Sequence, residues 1–157
     1  GEMKDVLIQC RHLDENGDPG EFAGELLDFS YRRSAYTDRR LVITRLTFQL
    51  NKGDYSVIKG QMEDYLSRRK SKQPLEYPSA GSVFKRPQGY FAGQLIEQCG
   101  LKGKAIGGAQ VSEKHAGFII NTGGATCQDV QSLVRLIQDT VKREKQVALE
   151  CEIKLMT

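Results

Sequence analysis

The chain has 157 residues, of which 39% are hydrophobic and 27% charged, with a formal net charge of +3. These values are typical of a globular protein with one domain or two small lobes. No apolar run approaches the roughly 20 residues needed to cross a bilayer. The amino end also has no secretory hydrophobic region, so we expect a soluble, cytoplasmic protein with no membrane partner.

The charged residues and cysteines exclude two kinds of site. Cations are dispersed apart from short runs such as residues 67–72, and aromatic residues do not alternate with those runs, so nucleic-acid binding is not expected. An anionic small substrate explains the charge balance equally well. With no C-x-x-C pair and no H-x-x-x-H pattern, we expect no metal site and four reduced thiols: Cys10, Cys99, Cys127 and Cys151.

The first half of the chain reads as strands followed by a helix. Residues 6–10 and the apolar residues from Phe22 flank Asn-Gly and Pro-Gly turn pairs, which predicts a β-hairpin, and residues 41–50 alternate as a strand. A helix is predicted to start after Asp54, with an apolar stripe at positions 57, 58, 62, 65 and 66, and to stop at Pro74. Residues 73–78 are predicted to be an extended connector at a lobe boundary.

The second half of the sequence predicts short helices and strands in alternation. A helix is expected from Tyr90 to Cys99, with Phe91, Leu95 and Ile96 facing inward and Gly100 at its carboxyl cap. Two strands at 105–111 and 117–121, a helix that begins after Thr126, and an alternating strand at 147–155 follow. The fold class is therefore α+β, with mainly antiparallel sheets, helices and two lobes.

Residues 78–121 collect glycines, cations and hydroxyls in loops, as sites for anionic ligands do. Ser82 precedes Lys85 and Arg86, whose charge would stabilise an alkoxide, although Ser79 competes for that role and a simple turn serine remains possible. Arg32 is suited to a carboxylate or phosphate, but a surface arginine is the alternative. His115 is either a ligand contact or a turn residue.

Several segments together resemble the carboxyl-terminal part of the UDP-N-acetylenolpyruvoylglucosamine reductase (MurB) family. They are FSYRRS, QPLEYPSAGS, SAGSVFKRP, GYFAGQLIEQCGLKG, IGGAQVSEKHAGFIIN and the terminal LECEIKL. Each segment alone is weak, whereas the combination is specific and covers essentially the whole chain. The resemblance implies a flavoenzyme of peptidoglycan precursor synthesis, in which NADPH reduces FAD and the flavin passes hydride to the enolpyruvyl group of a UDP-sugar.

The resemblance also implies roles for individual residues. Ser82 corresponds to the proton donor, Arg32 to the group that stabilises the developing enolate, and Glu152 to the assisting carboxylate. From the residues alone, Glu152 on a strand face is as compatible with a solvated surface. The positions that the resemblance assigns to substrate binding are Tyr31, Lys85, Arg86, Lys102 and His115.

The resemblance leads us to expect a partial FAD-binding lobe at 1–76, a substrate-binding lobe at 77–146, and a terminal strand at 147–157 that returns to the flavin side. The family's glycine-rich segment for the FAD pyrophosphate has no match here, so FAD-binding residues are unknown. We expect a carboxyl-terminal portion that holds FAD weakly or not at all and is inactive alone. The alternatives are a non-catalytic UDP-sugar-binding module and a basic nucleic-acid binder; the oligomeric state is left open.

Overall fold

The computed structural model describes residues 1–156. The chain divides into two compact units, Gly1–Ile58 and a second unit that begins at Lys59. The expected α+β class with antiparallel sheets is confirmed. The predicted lobes, 1–76, 77–146 and 147–157, stay a prediction. None of the described helices is long and apolar enough to span a bilayer.

The first unit contains a three-stranded antiparallel sheet in the order β2-β1-β3. The predicted hairpin and the strand after it are confirmed. Asp14 accepts the backbone N–H groups of Asn16 and Asp18 at 2.9 Å each, and this local bonding closes the hairpin turn. The strands are β1 (Leu7–Leu13), β2 (Pro19–Ala23) and β3 (Val42–Phe48).

A small core supports this sheet. Leu7, Cys10 and Leu27 are buried, with Phe22, Phe29 and Tyr36 packed against them. The Tyr36 hydroxyl donates to the Cys10 carbonyl at 3.0 Å and lies 2.8 Å from Nδ1 of His12. Because the hydroxyl proton is used at Cys10, His12 donates from Nδ1. Burial raises the pKa of Tyr36, so the phenol stays protonated.

The second unit contains a four-stranded antiparallel sheet in the order β4-β7-β6-β5. The strand predicted over 105–111 is wrong as a single element: the chain reverses at Gly107, whose φ is +54°, and pairs with itself. Residues that adopt positive φ are normally glycine, and the Gly-Gly pair provides the turn. The strands are β4 (Ser79–Ser82), β5 (Ala105–Ile106), β6 (Ala109–Val111) and β7 (Phe118–Asn121).

Helix α1 (Tyr55–Lys72) begins as predicted, with the Asp54 carboxylate accepting the N–H of Val57 at 3.1 Å. None of its residues is buried. The predicted extended connector after it is wrong, because the Tyr77 N–H donates to the Pro74 carbonyl at 3.2 Å in a turn. Proline restricts only the residue before it, so the two residues between Pro74 and Tyr77 remain free to turn.

Helix α2 (Ala92–Gln98) ends at a glycine, as predicted. Gly100 has φ of +67° and donates to Glu97 O at 2.9 Å, and the Leu101 N–H donates to Ile96 O at 3.2 Å, which is the Schellman pattern. The expected inward position of Phe91 is wrong, since its side chain is 56% exposed. Phe91 is the extended N-cap residue, so it lies outside the helical period that buries Leu95 and Ile96.

Helix α3 (Cys127–Lys145) has the predicted start. Thr126 Oγ1 accepts the Asp129 N–H at 3.1 Å, and the Asp129 carboxylate accepts the Thr126 N–H at 2.9 Å, which forms a reciprocal capping box. The helix packs on α2, β5 and β6. Its apolar stripe enters the core of the second unit, with Leu133, Val134, Ile137 and Val141 buried and Val130 partly buried.

The predicted strand at 147–155 is wrong as a regular strand. Within the described part of the chain, this segment forms one bridge, between Cys151 and Phe84, with hydrogen bonds on either side of it. The bonds join residues 150–152 to residues 83–85, just after β4 ends at Ser82. Leu149 is nevertheless buried and Glu150 exposed, so part of the predicted alternation survives.

Candidate active site

Ser82 ends β4, opposite Phe118 on β7. Its side chain is exposed, and Oγ donates to the Phe84 carbonyl at 3.4 Å, which is long for a hydroxyl bond. Gly81, just before it, has φ of +83°. The hydroxyl is therefore accessible and weakly held, at a point where the strand leaves regular pairing.

The terminal segment pairs the backbone of Glu152 with the residue that follows this serine. The Glu152 N–H donates to Val83 O at 2.8 Å, and the Lys85 N–H donates to Glu150 O at the same distance. These bonds flank the Phe84–Cys151 bridge, so residues 83–85 and 150–152 run antiparallel. Two residues that are remote in sequence thus have adjacent backbones, because Glu152 lies across from the residue that follows Ser82.

The cations after Ser82 surround a concave surface of about 410 Å³. Lys85 forms an exposed ion pair with Glu150, an interaction worth only about 0–1 kcal/mol and easily exchanged for another anion. The guanidinium carbon of Arg86 lies 4.1 Å from the ring centroid of Phe91, close enough for a cation–π contact. The other lining residues are Pro87, Gln88, Tyr90, Gln146, Val147 and Ala148.

His115 and Lys102 lie in turns of the same unit. Ser112 Oγ accepts the His115 N–H at 3.3 Å, and His115 Nδ1 accepts the Gly117 N–H at 3.0 Å. The imidazole is half-buried and meets the Phe118 ring edge-to-face, with centroids 5.0 Å apart. Lys102, after α2, pairs with Glu97 at 2.7 Å.

Tyr31 and Arg32 belong to the first unit. They form the tip of a tight turn in which Ser30 and Arg33 exchange backbone hydrogen bonds of 3.1 and 3.2 Å. Arg32 has φ of +59°, a conformation that is uncommon for a residue with a side chain. Both residues line a concave surface of about 620 Å³, together with Glu2, Met3, Lys4, Phe29 and Ser30.

Two contacts near these residues were not predicted from the sequence. One is Phe91 beneath Arg86, which was assigned to the core because it adjoins a helical apolar stripe. The other is Glu76, whose carboxylate lies 3.3 Å from the Lys114 ammonium. A hydrogen bond from its own backbone N–H, and then Lys114, lower the pKa of Glu76. No sequence motif indicates either contact, because both depend on turns that bring the two side chains together.

Two glycines of the first unit have roles in the fold rather than in a phosphate cradle. Gly17 serves the hairpin turn, and Gly20 packs against His12, where a Cβ would lie 2.5 Å from Nε2. Neither belongs to a glycine loop that leads into a helix, which is the usual phosphate cradle. Within residues 1–156, no group of three or more His, Cys, Asp or Glu side chains is placed to hold a metal ion.

Comparisons with known proteins agree with this architecture. A family model described as "UDP-N-acetylenolpyruvoylglucosamine reductase, C-terminal domain" matches residues 73–156. The reductase of that name from Caldanaerobacter subterraneus is 52% identical over 155 residues, and that from Clostridium perfringens is 49% identical over 156 residues. Each match covers 99% of this chain, which spans about half (51%) of the length of these relatives.

A solved structure shows the same relationship. The crystal structure of UDP-N-acetylenolpyruvylglucosamine reductase (MurB) from Thermus caldophilus superposes with a TM-score of 0.83 at 34% identity, covering 98% of this chain and 54% of that one. The family resemblance of the motifs is thereby confirmed. The chain belongs to the UDP-N-acetylenolpyruvoylglucosamine reductase family and corresponds to the carboxyl-terminal part of its members.

Proposed function

We propose that this chain supplies the substrate side of the NADPH-dependent reduction of UDP-N-acetylglucosamine enolpyruvate to UDP-N-acetylmuramate. The reaction belongs to peptidoglycan precursor synthesis in the cytoplasm, with a UDP-sugar as partner and neither nucleic acid nor membrane. The observation that supports the proposal is the 2.8 Å bond from the Glu152 N–H to the Val83 carbonyl, which pairs Glu152 with the residue that follows Ser82.

The reduction adds a hydride to the terminal carbon of the enolpyruvyl group and a proton to the adjacent carbon. In the family the hydride comes from FAD that NADPH has reduced. The sequence has no match to the family's glycine-rich segment for the FAD pyrophosphate, so we propose that the chain alone holds FAD weakly or not at all. Its own contribution is the control of charge and of the proton at the substrate.

We assign the proton to Ser82. After the hydride arrives, negative charge resides on the adjacent carbon and its carboxylate, and it must be stabilised and then quenched. The Ser82 hydroxyl gives its proton to that carbon, and Lys85 and Arg86 favour the alkoxide that remains. Arg32 stabilises the enolate, and Glu152 assists the transfer.

Substrate binding follows from the cations and hydrogen-bond donors. Arg86 and Lys85 follow Ser82 in the chain and line the concave surface described above, where each offers positive charge to a diphosphate. Lys102 and His115 lie in turns of the same unit, and Tyr31 shares the turn of Arg32. We propose that these five residues contact the UDP-sugar.

The test uses a chimera in which the amino-terminal half of the Caldanaerobacter relative precedes this chain. Ser82→Ala should lower kcat for the enolpyruvyl substrate by about 10²–10⁴-fold, the usual contribution of a positioned proton donor. Flavin reduction by NADPH should not change. Ser79→Ala is the matched control and should leave kcat within a few-fold of the parent. Equal loss in both variants, or normal turnover by Ser82→Ala, would contradict the assignment.

The chimera also tests the alternative of a non-catalytic module. The Ser82 hydroxyl is exposed and weakly bonded. It is therefore also compatible with a module that binds the UDP-sugar but never associates with a flavin-binding half. Saturable UDP-sugar binding without turnover, in a chimera whose flavin is reduced by NADPH, would favour that alternative. Turnover that depends on Ser82 excludes it.

A further inference from the structure

The side chain of His115 is confined by two glycines of the second unit. A Cβ at Gly93, in helix α2, would lie 3.1 Å from His115 Cε1 and 3.3 Å from the Gly117 nitrogen. A Cβ at Gly117 would lie 2.9 Å from Cε1 and 3.1 Å from Nδ1. Both separations are shorter than ordinary carbon contacts, so the imidazole occupies space that exists only because both residues lack a side chain.

The same packing determines which ring nitrogen carries the proton. A backbone N–H can only donate, and the Gly117 N–H points at Nδ1 at 3.0 Å. Nδ1 must therefore be the acceptor, and the proton of the neutral ring lies on Nε2. The edge-to-face contact with Phe118 holds the ring in this orientation.

We propose that Gly93 and Gly117 are positioning residues that hold His115 as its Nε2–H tautomer and thereby make it a hydrogen-bond donor to the nucleotide-sugar. The inference rests on the proposed function, and it goes beyond that function by naming the direction of the bond. A ring with its only N–H at Nε2 accepts no ligand N–H at that atom. The matching ligand group is an acceptor oxygen, such as one on a phosphate or on the uracil ring.

The chain contains its own reference for the measurement. It has two histidines. His12 donates from Nδ1 to the Tyr36 oxygen, because the hydroxyl proton of Tyr36 is used at the Cys10 carbonyl. The two imidazoles are thus assigned opposite tautomers in one molecule, and a single spectrum compares them.

The experiment is two-bond ¹H–¹⁵N NMR of both imidazoles in the full chain, at about pH 8, where a free imidazole is neutral. A His115→Ala variant assigns the signals. We expect only the Nε2–H pattern for His115 and only the Nδ1–H pattern for His12. An Nδ1–H pattern, or a mixture of tautomers, at His115 would overturn the proposal without any further variant.

Gly93→Ala tests the role of the glycine. The new methyl group should displace the ring, so the His115 signals shift, the Nδ1–H form appears, and UDP binds about two- to tenfold more weakly, as expected for a compromised hydrogen bond. Gly60→Ala in α1 is the matched control, since a Cβ there meets nothing within 4 Å. It should leave both the His115 signals and the UDP affinity unchanged.

Two results of this comparison count against the proposal. If Gly93→Ala leaves the His115 signals unmoved, the glycine does not position the ring. If the signals move but UDP affinity does not, His115 is no donor to the nucleotide. A parent chain that binds no UDP, yet shows the single Nε2–H tautomer, would contradict the proposed function and not the positioning by glycine.

Discussion

The two units bury their apolar residues to very different extents. Within residues 1–156, the core cluster of the second unit has fifteen buried residues, to which α2, α3 and the sheet all contribute, whereas that of the first has three. In β3, of the first unit, Val42 is 64% and Leu46 45% exposed, although the strand alternates as a half-buried strand should. An alternating strand pattern therefore does not guarantee a covered face, and buried apolar contact is concentrated in the second unit.

The largest expected effect compares one leucine from each unit. Leu133→Ala, at a fully buried site in α3, should lower the free energy of unfolding by about 2–5 kcal/mol through lost burial and a cavity. Leu46→Ala makes the same chemical change in β3, where the side chain is already half-exposed, and should cost less than about 1 kcal/mol. Urea denaturation followed by circular dichroism measures both. Similar losses at the two sites would contradict the unequal distribution of the core.

A smaller effect concerns the turn between β5 and β6. A Cβ at Gly108 would lie 2.5 Å from the Ala125 nitrogen and still closer to the Gly123 carbonyl, and neither backbone atom can move cheaply. Gly108→Ala should therefore destabilise the second unit by about 1–3 kcal/mol. Gly60→Ala, with open space in a helix, should instead stabilise the chain by up to about 1 kcal/mol. Thermal unfolding of both variants distinguishes them by sign, and a neutral Gly108→Ala would refute the close packing.

The smallest effect depends on pH. Hydrogen bonds from the Thr126 backbone N–H and then from its hydroxyl lower the pKa of Asp129 in the capping box of α3. Because the folded pKa lies below the unfolded value of about 3.9, the stabilisation is present above that value and is lost as pH falls through the folded pKa. Asp129→Asn should be slightly less stable at neutral pH and lose less stability on acidification. Parallel pH profiles for parent and variant, from urea midpoints, would argue against this contribution.

Local chemistry predicted much of the fold. The Asp14 turn, the Gly100 cap and the Thr126 capping box each need only a few neighbouring residues, so their signals are complete within a short window. Phe91 is exposed because it is the extended N-cap residue, and the terminal segment is held by one bridge to the remote Phe84; the apolar pattern alone indicates neither. The Gly107 reversal was missed because the β-rich residues around it suggested one continuous strand.

The candidate site shows the same division. Residue chemistry alone does not distinguish Ser82 from Ser79 as the reactive serine, nor Arg32 from an ordinary surface arginine. The family resemblance favours Ser82 and Arg32. The structure adds the backbone hydrogen bond from Glu152 to Val83, the residue after Ser82, which sequence spacing does not predict. The tautomer of His115 lay beyond sequence reasoning, because it depends on the direction of a single N–H, that of Gly117.

The most direct test of the substrate site follows the backbone amides of the full chain by NMR during titration with UDP-N-acetylglucosamine. We expect saturable shifts concentrated at Ser82, Lys85, Arg86, His115 and Glu152, with the amides of β1 and β2 unmoved. Shifts that cluster elsewhere, or a spectrum that stays unchanged at millimolar ligand, would contradict the proposal that these residues of the second unit bind the nucleotide-sugar.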